Sequence, residues 1–291
     1  MKIWILLPAY NEAASLPLLL PKIQECFEHS GRPWRVVILD DGSDDETQQI
    51  LTAYKSGGYP LDSLTHAINR GLGETERDLF EYVAANGEAD DVAIRIDCDD
   101  THDPAFFLSL VNALQDTHDV AIASRFQPGG GQDGVHGYRL FLTLAASWYM
   151  RILFPIRGVK DYSCGFRAYR VRVLRDALDI FGNNLLQMKG IGFVSTLETI
   201  VKLNLLGARF TEVPFTLYYD RKASPSKMIS SITSFGYLIM TVLYWWPFGG
   251  WRECYKGLAS VYRRDSVAAL REYGQGDRKM PMISRIGGGG R

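Results

Sequence analysis

Apolar and polar positions follow two alternating patterns along the first half of the chain. Short apolar runs rich in β-branched residues predict strands, and apolar residues spaced three and four apart predict helices. Because the two patterns alternate, they predict an α/β fold with a mostly parallel central sheet and helices on both faces. The predicted strands are residues 2–7, 34–39, 61–67, 92–96 and 120–123, and the predicted helices are residues 13–27, 44–54, 74–85, 104–114 and 138–152.

Residues 229–248 have a different pattern and contain no charged side chain. This length is close to the roughly 20 residues that cross a bilayer. Serine and threonine cluster in the first third of the segment, however, and an aromatic group closes it before several basic residues. These features favour a helix that lies in a membrane interface over one that spans the bilayer. A C-terminal helix buried against the rest of the protein is the alternative.

The composition is that of a folded globular protein, with 46% hydrophobic and 22% charged residues. A net charge of −1 gives no indication of a nucleic-acid partner. The four cysteines are widely spaced, as expected of reduced thiols in a cytosolic protein. The chain enters its first predicted strand at once, so we expect no secretory leader. Together these features predict a cytoplasmic protein, peripheral to a membrane if residues 229–248 are interfacial.

Two carboxylates, Asp97 and Asp99, follow the predicted strand at residues 92–96. Alternate residues of an extended chain share a face, so both carboxylates can point the same way. Two close carboxylates repel each other unless one is protonated or a cation lies between them. Oxygen ligands favour Mg²⁺ or Mn²⁺, which leave positions open for phosphate oxygens. The alternative is an acidic loop at the end of a strand.

Polar clusters follow three of the predicted strands, at residues 8–12, 40–43 and 97–100. In parallel sheets, ligands bind at the carboxyl ends of the strands, so these clusters indicate a binding site. Neither a Gly-x-Gly-x-x-Gly motif after the first strand nor a Walker-type loop is present in the sequence. A nucleotide bound at this edge would therefore need metal and side chains to hold its diphosphate.

The motifs of the first half resemble those of the family 2 glycosyltransferases of GT-A fold. They are Pro-Ala-Tyr-Asn-Glu at 8–12, Asp-Asp-Gly-Ser at 40–43, Asn-Arg-Gly-Leu-Gly at 69–73 and Asp-Cys-Asp at 97–99.

The motifs of the second half are similar to those of the dolichyl- and polyprenyl-phosphate mannose synthase branch of that family. They occur at residues 124–126 with 129–130, 161–167, 212–214, and 221 followed by 226–228. The match runs in chain order from about residue 3 to residue 230. It implies a GT-A catalytic domain at 1–225. The residue pattern predicts C-terminal amphipathic or interfacial helices at 226–273, and the glycine-rich composition predicts a disordered tail at 274–291.

The resemblance implies roles for residues that would bind a nucleotide-diphosphate sugar. Asp97 and Asp99 would hold the Mg²⁺ or Mn²⁺ that bridges the diphosphate. The nucleoside pocket would be lined by Pro8, Tyr10, Glu12 and Asp40. The diphosphate would be covered by Arg221, Ser226 and Lys227.

The resemblance also implies an acceptor site. Arg125, Arg139 and Thr143 match positions that hold the acceptor phosphate in the polyprenyl-phosphate branch. Arg139 and Thr143 lie four residues apart in a predicted helix, so an exposed helix face is the alternative. Asp161 is a candidate catalytic residue, and the alternative for it is a structural cap. If the acceptor were a hydroxyl, Asp161 or Asp100 would have to take its proton.

The sequence therefore predicts a metal-dependent, inverting hexosyltransferase. Its donor would be GDP-mannose or a UDP-sugar, and its acceptor a polyprenyl or dolichyl phosphate. One alternative keeps the donor chemistry and changes the acceptor to a soluble hydroxyl compound. A less favoured alternative is a nucleotide-sugar-binding protein without turnover. Two positions depart from the branch, namely Thr101 where glutamine is frequent and Pro225 where glycine is usual.

Overall fold

The computed structural model describes residues 1–114, 117–134, 138–191, 193–218 and 230–274, with only the backbone described at 138–144 and 230–231. The strands are β1 Ile3–Ala9, β2 Trp34–Asp40, β3 Leu61–Thr65, β4 Val92–Arg95, β5 Val120–Ser124, β6 Gly131–Asp133, β7 Arg167–Arg170, β8 Phe210–Pro214 and β9 Thr216–Tyr218. The helices are α1 Leu16–Glu28, α2 Thr47–Ser56, α3 Leu72–Asn86, α4 Phe107–Ala113, α5 Tyr138–Leu153, α6 Val171–Phe181, α7 Val194–Leu206, α8 Ser230–Trp245, α9 Trp251–Cys254, α10 Leu258–Arg264 and α11 Ser266–Tyr273.

Seven strands form the central sheet in the order β3-β2-β1-β4-β7-β5-β8. β7 is antiparallel to both of its neighbours, while the other pairs in this sheet are parallel. The α/β prediction with a mostly parallel sheet is thereby confirmed. The strand order reverses between β1 and β4, and such a switch point opens a crevice at the carboxyl ends of the strands.

The helices are placed by the direction in which the chain crosses the sheet. From β1 to β3 the chain moves one way, and from β3 to β4 it moves back across β2 and β1. Because crossovers between parallel strands are right-handed, α1 and α2 lie on one face and α3 lies on the other. The central strands β1, β4 and β5 are buried almost throughout, as expected of a sheet covered on both faces.

The structure corrects the starts of the first two predicted helices and the extent of the fourth. The first begins at Leu16 rather than at residue 13. The second helix begins at Thr47 rather than at residue 44, and Ser43, which directly precedes the predicted helix in the position of an N-cap, does not cap it. The hydroxyl of Ser43 instead accepts a hydrogen bond from the backbone N–H of Asn11 (2.8 Å). The helix predicted at 104–114 divides into a 3₁₀ turn, Pro104–Phe106, and α4. The hydroxyl of Ser43 thus hydrogen-bonds to the backbone of another loop rather than to the helix that the pattern predicts.

The C-terminal helices pack against the sheet domain at two places. α8 lies beside α5, where the Tyr149 hydroxyl is 2.8 Å from Oγ1 of Thr241. Helices α10 and α11 contact α7 and α6, respectively. Trp251 of α9 is fully buried, and the Lys202 ammonium of α7 lies 3.9 Å from the centre of its ring. Among the described residues, no helix combines the length and apolarity needed to cross a membrane.

Candidate active site

The loops that follow β1 and β2 are joined by hydrogen bonds. Asn11 accepts from the N–H of Asp44 (3.0 Å), and Oγ1 of Thr47 accepts from the N–H of Glu12 (2.9 Å). Ala9 is in register with Asp40, whose carboxylate accepts from the N–H of Ser43 (3.0 Å). The predicted nucleoside-pocket residues are thereby brought to the same edge of the sheet. They are Pro8, Tyr10, Glu12 and Asp40.

Asp41 organises the next loop, a role that the sequence analysis did not assign to it. Its buried carboxylate accepts hydrogen bonds from the N–H groups of Arg70 (2.9 Å) and Gly71 (2.8 Å). It also lies 2.6 Å from Nδ1 of His66. Gly42 has a φ of +70°, and a Cβ there would lie 2.6 Å from the carbonyl carbon of Ile68. The close approach of these two loops therefore requires glycine at position 42.

Asp97 lies two residues after the end of β4, and a buried arginine contacts its carboxylate. Nη1 of Arg95 is 2.5 Å from Oδ1 of Asp97, and Nε of Arg95 is 2.7 Å from Oε1 of Glu76. The N–H of Asp97 donates to Nδ1 of His102 (3.3 Å). Burial lowers the pKa of His102, which favours the neutral imidazole that can accept this hydrogen bond. The Asp97 side chain itself is 29% exposed, so it can still reach a ligand.

The second carboxylate, Asp99, is held by Thr101, whose hydroxyl donates to Oδ1 (2.6 Å). The hydroxyl at this departure from the family pattern therefore orients Asp99. Asp100, at a φ of +61°, is paired with the ammonium of Lys22 (2.6 Å). Within the described part of the chain, no cluster of three or more His, Cys, Asp or Glu side chains could hold a metal ion. Asp97 and Asp99 fit instead a cation that takes its other ligands from phosphates, as Mg²⁺ commonly does.

Arg125 and Asp161 form a closed ion pair beside β5. Nε and Nη2 of Arg125 each lie 2.7 Å from one oxygen of Asp161, in the bidentate geometry that arginine favours. The fully buried carboxylate also accepts from the N–H groups of Arg125 (3.1 Å) and Cys164 (3.1 Å). Burial opposes ionisation of Asp161, but Arg125 and these hydrogen bonds outweigh it and lower its pKa. Asp161 is therefore ionised and a weak base.

α8 approaches this ion pair through Tyr237. Burial raises the pKa of the Tyr237 phenol to about 12, against the opposing effect of the guanidinium groups of Arg167 and Arg125. The C-terminal helix with the apolar sequence therefore lies close to the arginine that was predicted to bind the acceptor phosphate.

Several predicted site residues lie outside the described parts of the structure. Arg139 and Thr143 belong to α5, whose side chains are described only from residue 145 onward. The segment predicted to close over the diphosphate, with Arg221, Ser226 and Lys227, falls within residues 219–229, which are not described. The roles assigned to these residues stay predictions.

Comparison with known proteins identifies the family. Residues 4–178 match the family model described as Glycosyl transferase family 2. The chain belongs to glycosyl transferase family 2. This family 2 glycosyltransferase is 30% identical over 251 residues to the undecaprenyl-phosphate mannosyltransferase of Micrococcus luteus, covering 86% of this chain and 96% of the relative. It is 29% identical to the dolichol-phosphate mannosyltransferase of Pyrococcus furiosus, covering 82% of this chain but only 62% of the relative.

Solved structures of similar fold support the GT-A architecture of this family 2 glycosyltransferase. One is glucosyl-3-phosphoglycerate synthase from Mycobacterium tuberculosis in complex with Mg²⁺ and uridine diphosphate. It is 18% identical, with a TM-score of 0.56, and the alignment covers 83% of this chain and 78% of that one. Another, a mycobacterial protein, is 17% identical, with a TM-score of 0.57, covering 84% of this chain and 74% of that one.

Arg95 and Glu76, two residues of this glycosyltransferase that lie behind Asp97, are not predicted by the sequence pattern. The pattern predicts an apolar strand at residues 92–96, although Arg95 lies within it. A charged residue in a buried strand must be paired, so Arg95 was a signal that a partner lies nearby. The partner, Glu76, comes from α3, and only the fold brings the two together.

Proposed function

We propose that this protein transfers a hexose, with inversion, from a nucleotide-diphosphate sugar to a polyprenyl phosphate. The donor would be GDP-mannose or a UDP-sugar. Family membership supports glycosyl transfer, and the names of the relatives from Micrococcus luteus and Pyrococcus furiosus support a lipid-phosphate acceptor and mannose. The donor pocket would be formed by the loops after β1 and β2, with Arg221, Ser226 and Lys227 closing over the diphosphate.

Whether Asp161 or Asp100 can accept a proton decides between the two candidate classes of acceptor. Asp161 is buried in its ion pair with Arg125, and Asp100 is buried in its ion pair with Lys22. A hydroxyl acceptor would need one of these carboxylates to take its proton. A phosphate is already anionic at neutral pH and needs no base. The geometry therefore favours the phosphate over a soluble hydroxyl compound.

Asp97 and Asp99 are the residues that would hold a divalent cation in this reaction. When bound, Mg²⁺ or Mn²⁺ supplies neutralisation of the charge that grows on the departing nucleoside diphosphate. The protein orients the two carboxylates: Arg95 holds Asp97, and Thr101 holds Asp99. Cationic side chains of the closing segment would add to the stabilisation of the leaving group.

An exposed apolar surface on α5 and α8 supports attachment to a membrane. Trp148 (69% exposed) and Ile152 (55%) belong to α5, while Phe235 (62%), Leu238 (56%) and Val242 (54%) share one side of α8. Exposed apolar surface of this kind, on helices that pack together, is typical of an interaction site. An interfacial position of α8 would place the acceptor headgroup on the side of Arg125, because Tyr237 of the same helix lies within electrostatic range of that arginine.

The triple variant Trp148→Ser/Phe235→Ser/Leu238→Ser is expected to bind phosphatidylglycerol-containing vesicles at least about tenfold more weakly than the wild type. Each large apolar side chain contributes about 1.5–3 kcal/mol when it is fully buried. Vesicle sedimentation measures the effect. The control is Leu18→Ser/Val267→Ser, which changes two apolar residues that are also about half exposed or more, on α1 and α11. Equal vesicle binding by the two variants would contradict the interfacial position of α8.

Arg139→Ala is expected to raise the KM for a short polyprenyl phosphate by about tenfold and to leave the KM for the sugar donor unchanged. A charge-assisted hydrogen bond contributes about 1.5–3 kcal/mol, and arginine holds phosphate oxygens in a bidentate manner. Steady-state kinetics with each substrate varied in turn measures the effect. Arg151→Ala, an exposed arginine in the last turn of the same helix, is the control. An unchanged acceptor KM would count against this phosphate site.

Turnover of a panel of GDP- and UDP-sugars tests the proposed function directly. Each donor is incubated with Mn²⁺ or Mg²⁺, with and without a short polyprenyl phosphate, and products are followed by mass spectrometry. A lipid-phosphate hexose that forms only with metal is the expected product. Slow hydrolysis of the sugar donor that the lipid does not change would exclude the lipid-phosphate acceptor and favour a hydroxyl compound.

A further inference from the structure

We infer that Arg95 is a positioning residue that fixes Asp97 and makes binding of a divalent cation depend on the nucleotide. This inference rests on the metal site in the proposed function, but it concerns a residue outside the family motifs described above. Arg95 touches neither sugar nor acceptor in this account. It acts through the carboxylate that it holds.

The guanidinium of Arg95 is locked in place. The residue is 2% exposed, with Asp97 on one side and Glu76 on the other. Glu76 is itself held by the hydroxyl of Ser195, which donates to Oε2 (2.7 Å). A Cβ on Gly165 would lie 2.0 Å from Nη1 of Arg95, so the guanidinium fills the space that this glycine leaves. Burial, the hydrogen bond from Nη1 to Asp97 and the close approach of Gly165 therefore leave the guanidinium little room to move when a cation approaches.

A guanidinium and a metal cation compete for the same carboxylate. Arg95 takes Oδ1 of Asp97 and repels a cation that approaches the other oxygen, because like charges a few ångströms apart repel even at a high effective dielectric constant. The free protein should therefore bind Mn²⁺ weakly. A bound nucleoside diphosphate adds negative charge and ligands, so Mn²⁺ binding and nucleotide binding should strengthen each other.

The test compares Mn²⁺ affinity with and without nucleotide, measured from the electron paramagnetic resonance signal of free Mn²⁺. GDP and UDP are used in turn as the nucleotide. The variant is Arg95→Met/Glu76→Gln, which removes both charges and leaves neither buried alone. The matched control is Arg77→Met/Glu81→Gln, which removes a neighbouring pair (2.7 Å) whose arginine is also largely buried on α3.

The Arg95→Met/Glu76→Gln variant is expected to bind Mn²⁺ alone about tenfold more tightly than the wild type. With nucleotide present, the relief of repulsion from the Arg95 guanidinium is offset by the lost orientation of Asp97, so the affinity should change little. The ratio of the two affinities should fall about tenfold, and the control should keep the wild-type ratio. A residue that only stabilises the fold would instead lower both affinities together, and an unchanged ratio or a joint loss would overturn the inference.

Two further outcomes separate this inference from the proposed function. A wild-type protein that binds no Mn²⁺ even with GDP or UDP would contradict the proposed metal site itself. If the double variant does not fold, the same measurement is made on Arg95→Lys. Because an ammonium keeps the positive charge but cannot contact Asp97 and Glu76 through two separate nitrogens, the ratio should then fall by a smaller factor, about threefold. A wild-type ratio in a folded Arg95→Lys protein would overturn the role of Arg95.

Discussion

Asp97→Ala is expected to lower kcat at least about a thousandfold at saturating sugar donor. The charge that a metal neutralises in a transition state corresponds to several kcal/mol, and each 1.36 kcal/mol is a factor of ten in rate. The fold should survive, because Arg95 keeps its ion pair with Glu76 after the substitution. Turnover with Mn²⁺ and thermal unfolding of the same preparation measure the two effects.

Asp90→Ala is the matched control for Asp97→Ala. Asp90 is an exposed carboxylate that precedes β4, at the opposite end of the strand from Asp97. We expect this control to keep wild-type turnover. If Asp97→Ala kept more than about a tenth of the wild-type kcat, a catalytic metal at this carboxylate would be excluded, since the loss would then be below about 1.4 kcal/mol.

Asp161→Asn is expected to lower the free energy of unfolding by about 3–5 kcal/mol, since removing one partner leaves the other charge buried and unpaired. The charge left behind is Arg125, whose side chain is 11% exposed. Denaturant unfolding measures the loss. A general base would behave differently, because its replacement would lower kcat and remove the acidic limb of the pH–rate profile with little change in stability.

The paired variant Arg125→Met/Asp161→Asn separates these two accounts. It removes both charges, so it should be more stable than Asp161→Asn alone. The pH dependence has a definite sign, because the pKa of Asp161 is lower in the folded protein than in the unfolded chain. The ion pair stabilises the wild type above about pH 4 and is lost as the pH falls through the lowered pKa. If the stability of the wild type and that of the paired variant fell equally as the pH was lowered, this contribution would be contradicted.

The sequence predicted those parts of the site that lie at strand ends. A parallel sheet places every such end at one edge, so the positions of Asp40 and Asp97 followed from the pattern alone. The roles of residues that act through distant partners did not follow in this way. Arg95 meets Glu76 of α3, and Asp161 meets Arg125 of the loop after β5. Local pattern carries no information about which helix face meets which strand.

Fold prediction failed mainly where the chain is short or polar. β7 has four residues, two of them arginines, so no apolar run indicated a strand. Arg167 is nevertheless fully buried, because its guanidinium donates to the carbonyl oxygens of Thr196 and Tyr162 (2.8 Å for the latter). Ser43 resembled a helix cap in sequence, but the loop after β1 offered it another partner. In each case tertiary hydrogen bonds outweighed local preference.

The position of β7 also bears on how the chain folds during synthesis. β4 and β5 both leave the ribosome before β7, yet in the sheet β7 lies between them. Until β7 emerges, β4 and β5 each lack their neighbour there, and unpaired strand edges favour aggregation. The sheet of the nascent chain is therefore completed only after β7 has been synthesised. The carboxylates after β4 and the arginine after β5 take up their relative positions only at that step, so a truncated chain that ends before β7 would contain both and still form no site.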